Sequence, residues 1–374
     1  VVRNPDFFKM VKDIQVKNRT LAESIDREKK VVKAVDLLTG KSLEYEYDTL
    51  VLSVGSQFKK PPFPGIDLTG VHFLQTMEDA KGIRDESGPL EGKNAVVVGA
   101  GLIGLEATES LKAKRMNITM IEMADQAMGN LFDHEMVFHL HNELKKNGVV
   151  LKTLETVREI KGDDLSAVKS VVTDKGEYPA DLVLVAVGVN PNTQLAKQAG
   201  LDIGETGAIR VDASMRTSDP NIYAGGDCVE NVSLVTGKPI FAPMGSTANK
   251  HGRIIGDNIC GIPSEFKGVC GTAICRVFNI NVSRTGLTEK QAREMGYDCL
   301  SVLSPSPDKP HFLDEAKLII IKLVVDKATH ALLGAQIVGP GDVAKRMDIA
   351  VSNISSSSKV TDIAQYDLAY APPF

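Results

Sequence analysis

Tryptophan is missing altogether from the 374 residues, so an aromatic surface for stacking nucleobases is not expected. Positive charge is also short. Lys and Arg total 43 against 48 Asp and Glu, a formal net charge of −5, which gives no electrostatic case for nucleic acid. No apolar run approaches the roughly 18 residues of a membrane span, so no membrane anchorage is expected. The five cysteines include no CxxC pair. They fit reduced thiols in a cytoplasm better than a disulfide scaffold. None has a visible activating base, so Cys228, Cys260, Cys270, Cys275 and Cys299 read as small core residues or spectators. The seven histidines show no metal-ligand spacing. His139 and His141 fall on different faces of a predicted helix, and no metal site is expected. The chain also lacks an initiating Met. Val1-Val2-Arg3-Asn4-Pro5 leads into a charged stretch without a signal-peptide pattern, and reads as a processed or trimmed start.

What is present is an ordinary globular composition, 43% apolar and 24% charged, on a chain long enough for two or three domains. A helix remnant comes first. Lys29–Val35 and Leu43–Tyr47 read as hairpin strands around the turn at Thr39-Gly40, and Thr49–Val54 as a buried strand stopping at Gly55. Lys60-Pro-Pro-Phe-Pro-Gly65 is a rigid connector. Residues 70–212 alternate strand and helix, as βαβ units do. A strand at Ile222–Ala224 and a long helix at Ser246–Ile259 follow. From residue 266 the pattern turns β-rich, with strands at Lys317–Asp326 and Ala331–Val338 and a helix capped at Thr288.

The strongest motif is Ala95-Val-Val-Val-Gly99-Ala-Gly101-Leu-Ile-Gly104-Leu-Glu106, a buried strand running through G-x-G-x-x-G into a helix. Glu122 ends the next apolar run, 18 positions after Gly104. This is the dinucleotide fingerprint in its required context. Gly99 permits the turn, Gly101 lets backbone approach the pyrophosphate, and Gly104 allows close helix–strand packing. The loop residues Gly99, Gly101, Leu102, Ile103 and Gly104 are therefore NAD candidates. Glu122 is placed to accept the adenosine ribose hydroxyls and to repel a 2′-phosphate, favouring NADH over NADPH. The competing reading is a generic tight strand–helix turn. Glu106 lies two residues past Gly104, in the expected first turn, where the helix dipole alone would suit a carboxylate. Gly188 and Asn190 open a loop beyond a buried strand, a candidate wall for the nicotinamide end; an Asn-Pro turn explains the same residues. Gly226 and Asp227 end another strand, where a carboxylate binds a polyol such as a ribityl chain, or simply forms an Asx turn. Gly245, Ser246, Thr247 and Ala248 lead a helix whose N-terminus suits the electron-rich side of a flavin.

The whole chain resembles the flavin-dependent pyridine nucleotide–disulfide oxidoreductases, closest to the branch of coenzyme A-disulfide reductase, NADH oxidase and NADH peroxidase. The resemblance is carried by Tyr47–Ser56, Gly99–Glu106, Val185–Asn192, Tyr223–Cys228, Met244–Lys250, Leu333–Gly339 and Asp367–Phe374, in matching order and spacing. It implies an α/β fold in which a Rossmann-like NAD domain is inserted in an FAD domain, followed by an α+β dimerisation domain. The implied boundaries are 1–88 for the first part of the FAD domain, 89–212 for NAD(H), 213–264 for the second FAD part and 265–374 for dimerisation. It implies Asp227 on the FAD ribityl chain, Gly245–Ala248 near the flavin ring, Gly55 near FAD, and Glu106 close to the nicotinamide–flavin contact. It also implies that Tyr370 reaches a partner subunit's active site, and hence a homodimer.

Three departures qualify these expectations. The family's own FAD fingerprint and redox cysteine have no counterpart here, a stretch of about 70 residues by the size of a βαβ unit plus active-site helix. The branch's tyrosine pair is replaced by His311-Phe312-Leu313-Asp314. The aromatic gate between the second and third glycines is Leu102. The expected activity is transfer of hydride from NADH through FAD to a disulfide, persulfide, peroxide or oxygen, with coenzyme A disulfide or persulfide as the small-molecule acceptor. The alternatives are a cysteine-independent NADH:acceptor reductase of the ferredoxin-reductase kind, and a fragment that binds NADH without FAD.

Overall fold

Alternation of buried apolar runs with amphipathic helices dictates a parallel sheet, and a computed structural model contains one. It describes residues 4–86 and 90–372. Val1-Val2-Arg3, the expected boundary at 88/89 and the terminal Pro373-Phe374 lie outside the described residues. The chain divides into two compact units, each assembled from three separate segments.

The first unit comprises residues 1–56, 191–232 and 239–267. Its helix Pro5–Lys12 is capped by Asn4, whose Oδ1 accepts from Phe7 N at 2.9 Å. Strands Thr20–Asp26, Val31–Asp36 and Ser42–Glu46 form an antiparallel sheet. Leu50–Leu52 pairs in parallel with Ile222–Ala224, Leu52 standing opposite Ala224. The expected buried strand at Thr49–Val54 is thus shorter, and Val51 is exposed. Ile25, Leu52, Met215, Ile222, Ala224 and Ile255 share one core.

The second unit comprises residues 57–190, 233–238 and 268–374. Its five-stranded parallel sheet runs Val71–His72, Leu182–Val185, Asn94–Val98, Asn117–Ile121, Val149–Lys152. Helices Leu102–Ala113 and His134–Lys146 cover it. A five-stranded antiparallel sheet follows, ordered Ala273–Val277, Ile280–Gly286, Leu332–Gly339, Leu318–Asp326, Cys299–Pro307. Thr288 forms a capping box with Gln291. Val277, Ile280, Val282 and Val338 join Val97, Leu105, Met120 and Leu140 in a single core, with helices Leu102–Ala113 and His134–Lys146 packed against both sheets of this unit.

Candidate functional site

The glycines of the fingerprint divide into two kinds. Gly99 follows the buried strand Asn94–Val98 at φ +102°, and a Cβ there would lie 2.5 Å from the Ala186 carbonyl oxygen. A Cβ at Gly104 would lie 2.1 Å from the Gly99 carbonyl oxygen. The protein's own packing demands both. At Gly101 a Cβ would meet nothing within 4 Å. That residue is also the N-cap of helix Leu102–Ala113 and offers no side-chain cap. Uncapped N–H groups beside open space are what a pyrophosphate needs.

Glu122 stands just past the strand Asn117–Ile121, which pairs in parallel with Asn94–Val98. One carboxylate oxygen accepts from Ala100 N and the other from Ala124 N, both at 2.8 Å. The side chain therefore ties its own loop to the fingerprint turn, and each oxygen retains further acceptor capacity. Glu106 corrects one expectation. The helix begins at Leu102, so Glu106 is its fifth residue and no acidic residue occupies the first turn. The dipole effect fades beyond that turn, so it does not account for this carboxylate. Glu106 is exposed and carries its charge near Cys275. Glu109, one turn on, accepts from Phe278 N at 2.9 Å and pairs with Arg276. Leu102 is half-buried and Ile103 exposed. Gly188, at φ +99°, accepts from Lys59 N at 2.9 Å, and Asn190 is exposed.

In the first unit the parallel pairing of Leu50–Leu52 with Ile222–Ala224 sets the turns after the two strands side by side. Gly55 lies at φ +66° and Gly226 at φ +84°. Among the described residues, the Asp227 carboxylate accepts one hydrogen bond, from Ser56 Oγ at 3.5 Å. Burial pushes its pKa up, and the bond from Ser56 offsets only part of that. Helix Gly245–Ile259 starts at Met244 with no side-chain cap. Gly245 and Ser246 are exposed, Ala248 is half-buried, and Thr247 is buried, so Thr247 turns inward from this helix end. The residues Gly55, Gly226, Asp227 and Ala248 are gathered in this one unit, a Cβ on Gly226 lying 3.7 Å from that of Ala248. Sequence reasoning missed Asn192, whose Nδ2 donates to the Val54 carbonyl at 2.8 Å and whose backbone N–H donates to Gly55 O at 3.0 Å.

The cysteines are all free, and four of the five are buried. Burial raises the Cys228 thiol and lifts Cys275 to about 12, the Glu106 charge adding to the latter. Neither is a thiolate near neutrality. Tyr370 is 77% exposed.

One charged centre was invisible in the sequence. Lys322 is buried, with its Nζ 2.9 Å from Asp133, 2.8 Å from Glu289, and also bonded to Glu135. Gln336 donates to Asp133 at 2.6 Å and accepts from its N–H at 2.7 Å. The three carboxylates lie close enough together to hold a cation, and the Lys322 ammonium occupies that electrostatic role. Separately, an open groove of about 930 Å³ runs between helix His134–Lys146 and the antiparallel sheet. None of the sequence-predicted site residues lines it.

Residues 4–244 match the family model "pyridine nucleotide-disulphide oxidoreductase" and residues 272–374 its dimerisation domain. The chain is 38% identical over 335 residues to an NAD(P)H coenzyme A polysulfide/persulfide reductase of Pyrococcus horikoshii, covering 90% of this chain and 74% of that one. It superposes on the NAD-dependent persulfide reductase of A. fulgidus with a TM-score of 0.96 and 46% identity, over 100% of this chain and 68% of that one. An FAD-dependent pyridine nucleotide-disulphide oxidoreductase from Desulfovibrio vulgaris matches with a TM-score of 0.85 and 38% identity, over 96% of this chain and 87% of that one. Among the described residues no helix is long and apolar enough to cross a membrane. On these matches the chain belongs to the pyridine nucleotide-disulphide oxidoreductase family, the FAD- and NAD(P)H-dependent oxidoreductases.

Proposed function

We propose that the chain reduces a sulfur–sulfur bond of the coenzyme A persulfide or disulfide class, using NADH in preference to NADPH. For a persulfide the balance is NADH and one proton plus R–S–SH, giving NAD⁺, R–SH and H₂S. Bound FAD supplies the two-electron relay between donor and acceptor.

The residues present fit both cofactors. The open space at Gly101 and the uncapped helix behind it suit a pyrophosphate. Gly99, Leu102, Ile103 and Gly104 shape that loop, Glu122 receives the ribose hydroxyls, and Gly188 and Asn190 wall the nicotinamide end, with Glu106 beside it. The single observation that carries the flavin reading is Asp227, a half-buried carboxylate with one hydroxyl partner among the described residues. A ribityl chain would give it the donors it lacks. Gly55 and Gly226 leave room for that chain, and Gly245, Ser246, Thr247 and Ala248 place a helix N-terminus at the flavin's electron-rich side. The persulfide reductases among the relatives support the choice of acceptor. Tyr370 projects toward the partner's site in a homodimer built by residues 272–374.

The test is direct. Purified chain should show flavin absorption and NADH-dependent bleaching of it; release of H₂S from coenzyme A persulfide requires in addition a thiolate beside the flavin, a role none of the five cysteines fits. Glu122→Ala should weaken NADH binding roughly tenfold (~1.4 kcal/mol) and relax discrimination against NADPH. Unchanged affinity for both nucleotides would remove Glu122 from the ribose. A colourless protein that still binds NADH would leave only the nucleotide half of the reading. Oxygen consumption at the expense of persulfide reduction would replace the acceptor.

A further inference from the structure

Helix Gly245–Ile259 turns Thr247, His251 and Ile255 inward at four-residue spacing, and His251 is fully buried. A polar ring at such a position costs stability unless its nitrogens are used. One is used. Gly226 N donates to His251 Nδ1 at 3.1 Å. Nε2 has no partner among the described residues, and the ring stands at 88° to Phe266 with centroids 4.5 Å apart. Burial, assisted by the Lys250 charge, pulls the ring's pKa down to about 4. It is neutral near pH 7, with Nδ1 as acceptor and the proton therefore on Nε2.

The bonded amide lies just past the end of the strand ladder. Gly225 N still donates to the Leu52 carbonyl at 3.0 Å, continuing the ladder of the parallel strands. Gly226 is the first residue past it, with φ +84°. The helix sits hard against this turn. A Cβ on Gly225 would lie 2.8 Å from Ile255 Cδ1 and 3.1 Å from His251 Cβ.

We propose that His251 is a positioning residue that fixes the Gly226 peptide, and through it Asp227, in register with the helix end Gly245–Ala248. The proposal rests on the flavin reading of this region, which it deepens: two elements assigned to one cofactor are pinned together by one imidazole nitrogen. Being fully buried, His251 acts through the Gly226 peptide and not by direct contact with a ligand.

Substitutions separate pinning from packing. Leu keeps volume and removes the acceptor, whereas the Asn side-chain oxygen falls where Nδ1 lies and Gln places its polar atoms near Nε2. With pinning, His251→Leu weakens FAD binding roughly tenfold and accelerates hydrogen exchange at the Gly226 amide by a similar factor. His251→Asn restores both to within about threefold of wild type, and His251→Gln does not. The reverse order, with Leu like wild type and Asn the worst, overturns the proposal in favour of core packing. NADH affinity, read on the other unit, serves as the folding control. If His251→Leu fails to fold, the Asn and Gln pair decides by the same order. Amide exchange needs no flavin. A wild type that takes up no FAD yet loses Gly226 protection in His251→Leu keeps the pin and discards the flavin reading. Unchanged Gly226 exchange in His251→Leu overturns the pin whatever FAD does.

Discussion

Asp133 is a buried carboxylate and Asp227 a half-buried one, and they titrate in opposite directions. Burial alone raises each. At Asp133, hydrogen bonds from Glu289 N, Lys322 and Gln336 overcome that cost and hold the acid below its ordinary range. At Asp227, a single long bond from Ser56 does not, and the acid stays above it. The first is a finished structural centre whose donors come from the chain itself. The second has acceptor capacity that the described residues leave largely unused. Completed networks report on architecture; incomplete ones point to where a ligand supplies the missing donors.

The sharpest break of this contrast is Lys322→Met. It strands three carboxylates around an uncharged side chain and should cost about 3–5 kcal/mol, read as a lower urea midpoint. A loss under about 1 kcal/mol would mean that the cluster is already hydrated. Next comes the glycine pair. Gly104→Ala forces a Cβ against a carbonyl oxygen and should cost about 1–3 kcal/mol. Gly101→Ala, with open space before it, should leave thermal stability unchanged and weaken NADH. Equal destabilisation by both would dissolve the division between packing glycines and ligand glycines. Asp227→Asn should change the stability of the ligand-free protein by less than about 1 kcal/mol while weakening FAD about tenfold (~1.4 kcal/mol).

The last contrast lies in the pH dependence. Glu289, held at about 2 chiefly by Lys322, has a folded pKa below its unfolded value. Its contribution is present above the ordinary carboxylate range and is lost as pH falls toward 2. Asp227, raised by burial, works the other way. Its contribution is present below the ordinary range and is lost as pH rises through its folded pKa. Urea midpoints from acid to neutral pH should show Glu289→Gln losing stability at neutrality and converging with wild type in acid. Asp227→Asn should gain slightly at neutrality and also converge in acid. Gains or losses of the same sign would erase the comparison.

How far the sequence could be read follows the same line. The fingerprint was legible because its steric demands are local: a strand, a turn at Gly99, and a glycine where helix meets strand at Gly104. The Thr288 cap was legible for the same reason. Strand Thr20–Asp26 was not, because its inner positions include Thr20, Ala22 and Ser24, and a register shift between Ala22 and Ser24 breaks the two-residue period. The helix start at Leu102 moved Glu106 out of the first turn by geometry that the residue types do not specify. The Lys322 centre joins residues 187 positions apart at Glu135, and His251 reaches back 25 positions to Gly226. Pairings of that range leave no periodic trace.

The parallel pairing of Leu50–Leu52 with Ile222–Ala224 also has a consequence in time. Roughly 170 residues separate Leu52 from Ile222. On a ribosome adding about 5–20 residues per second, the first strand waits some 10–30 seconds for its partner. During that interval its backbone edge is unpaired and its apolar residues are uncovered. Until residue 222 has been made, the edge of Leu50–Leu52 that faces Ile222–Ala224 has no partner, so this pairing closes late in synthesis.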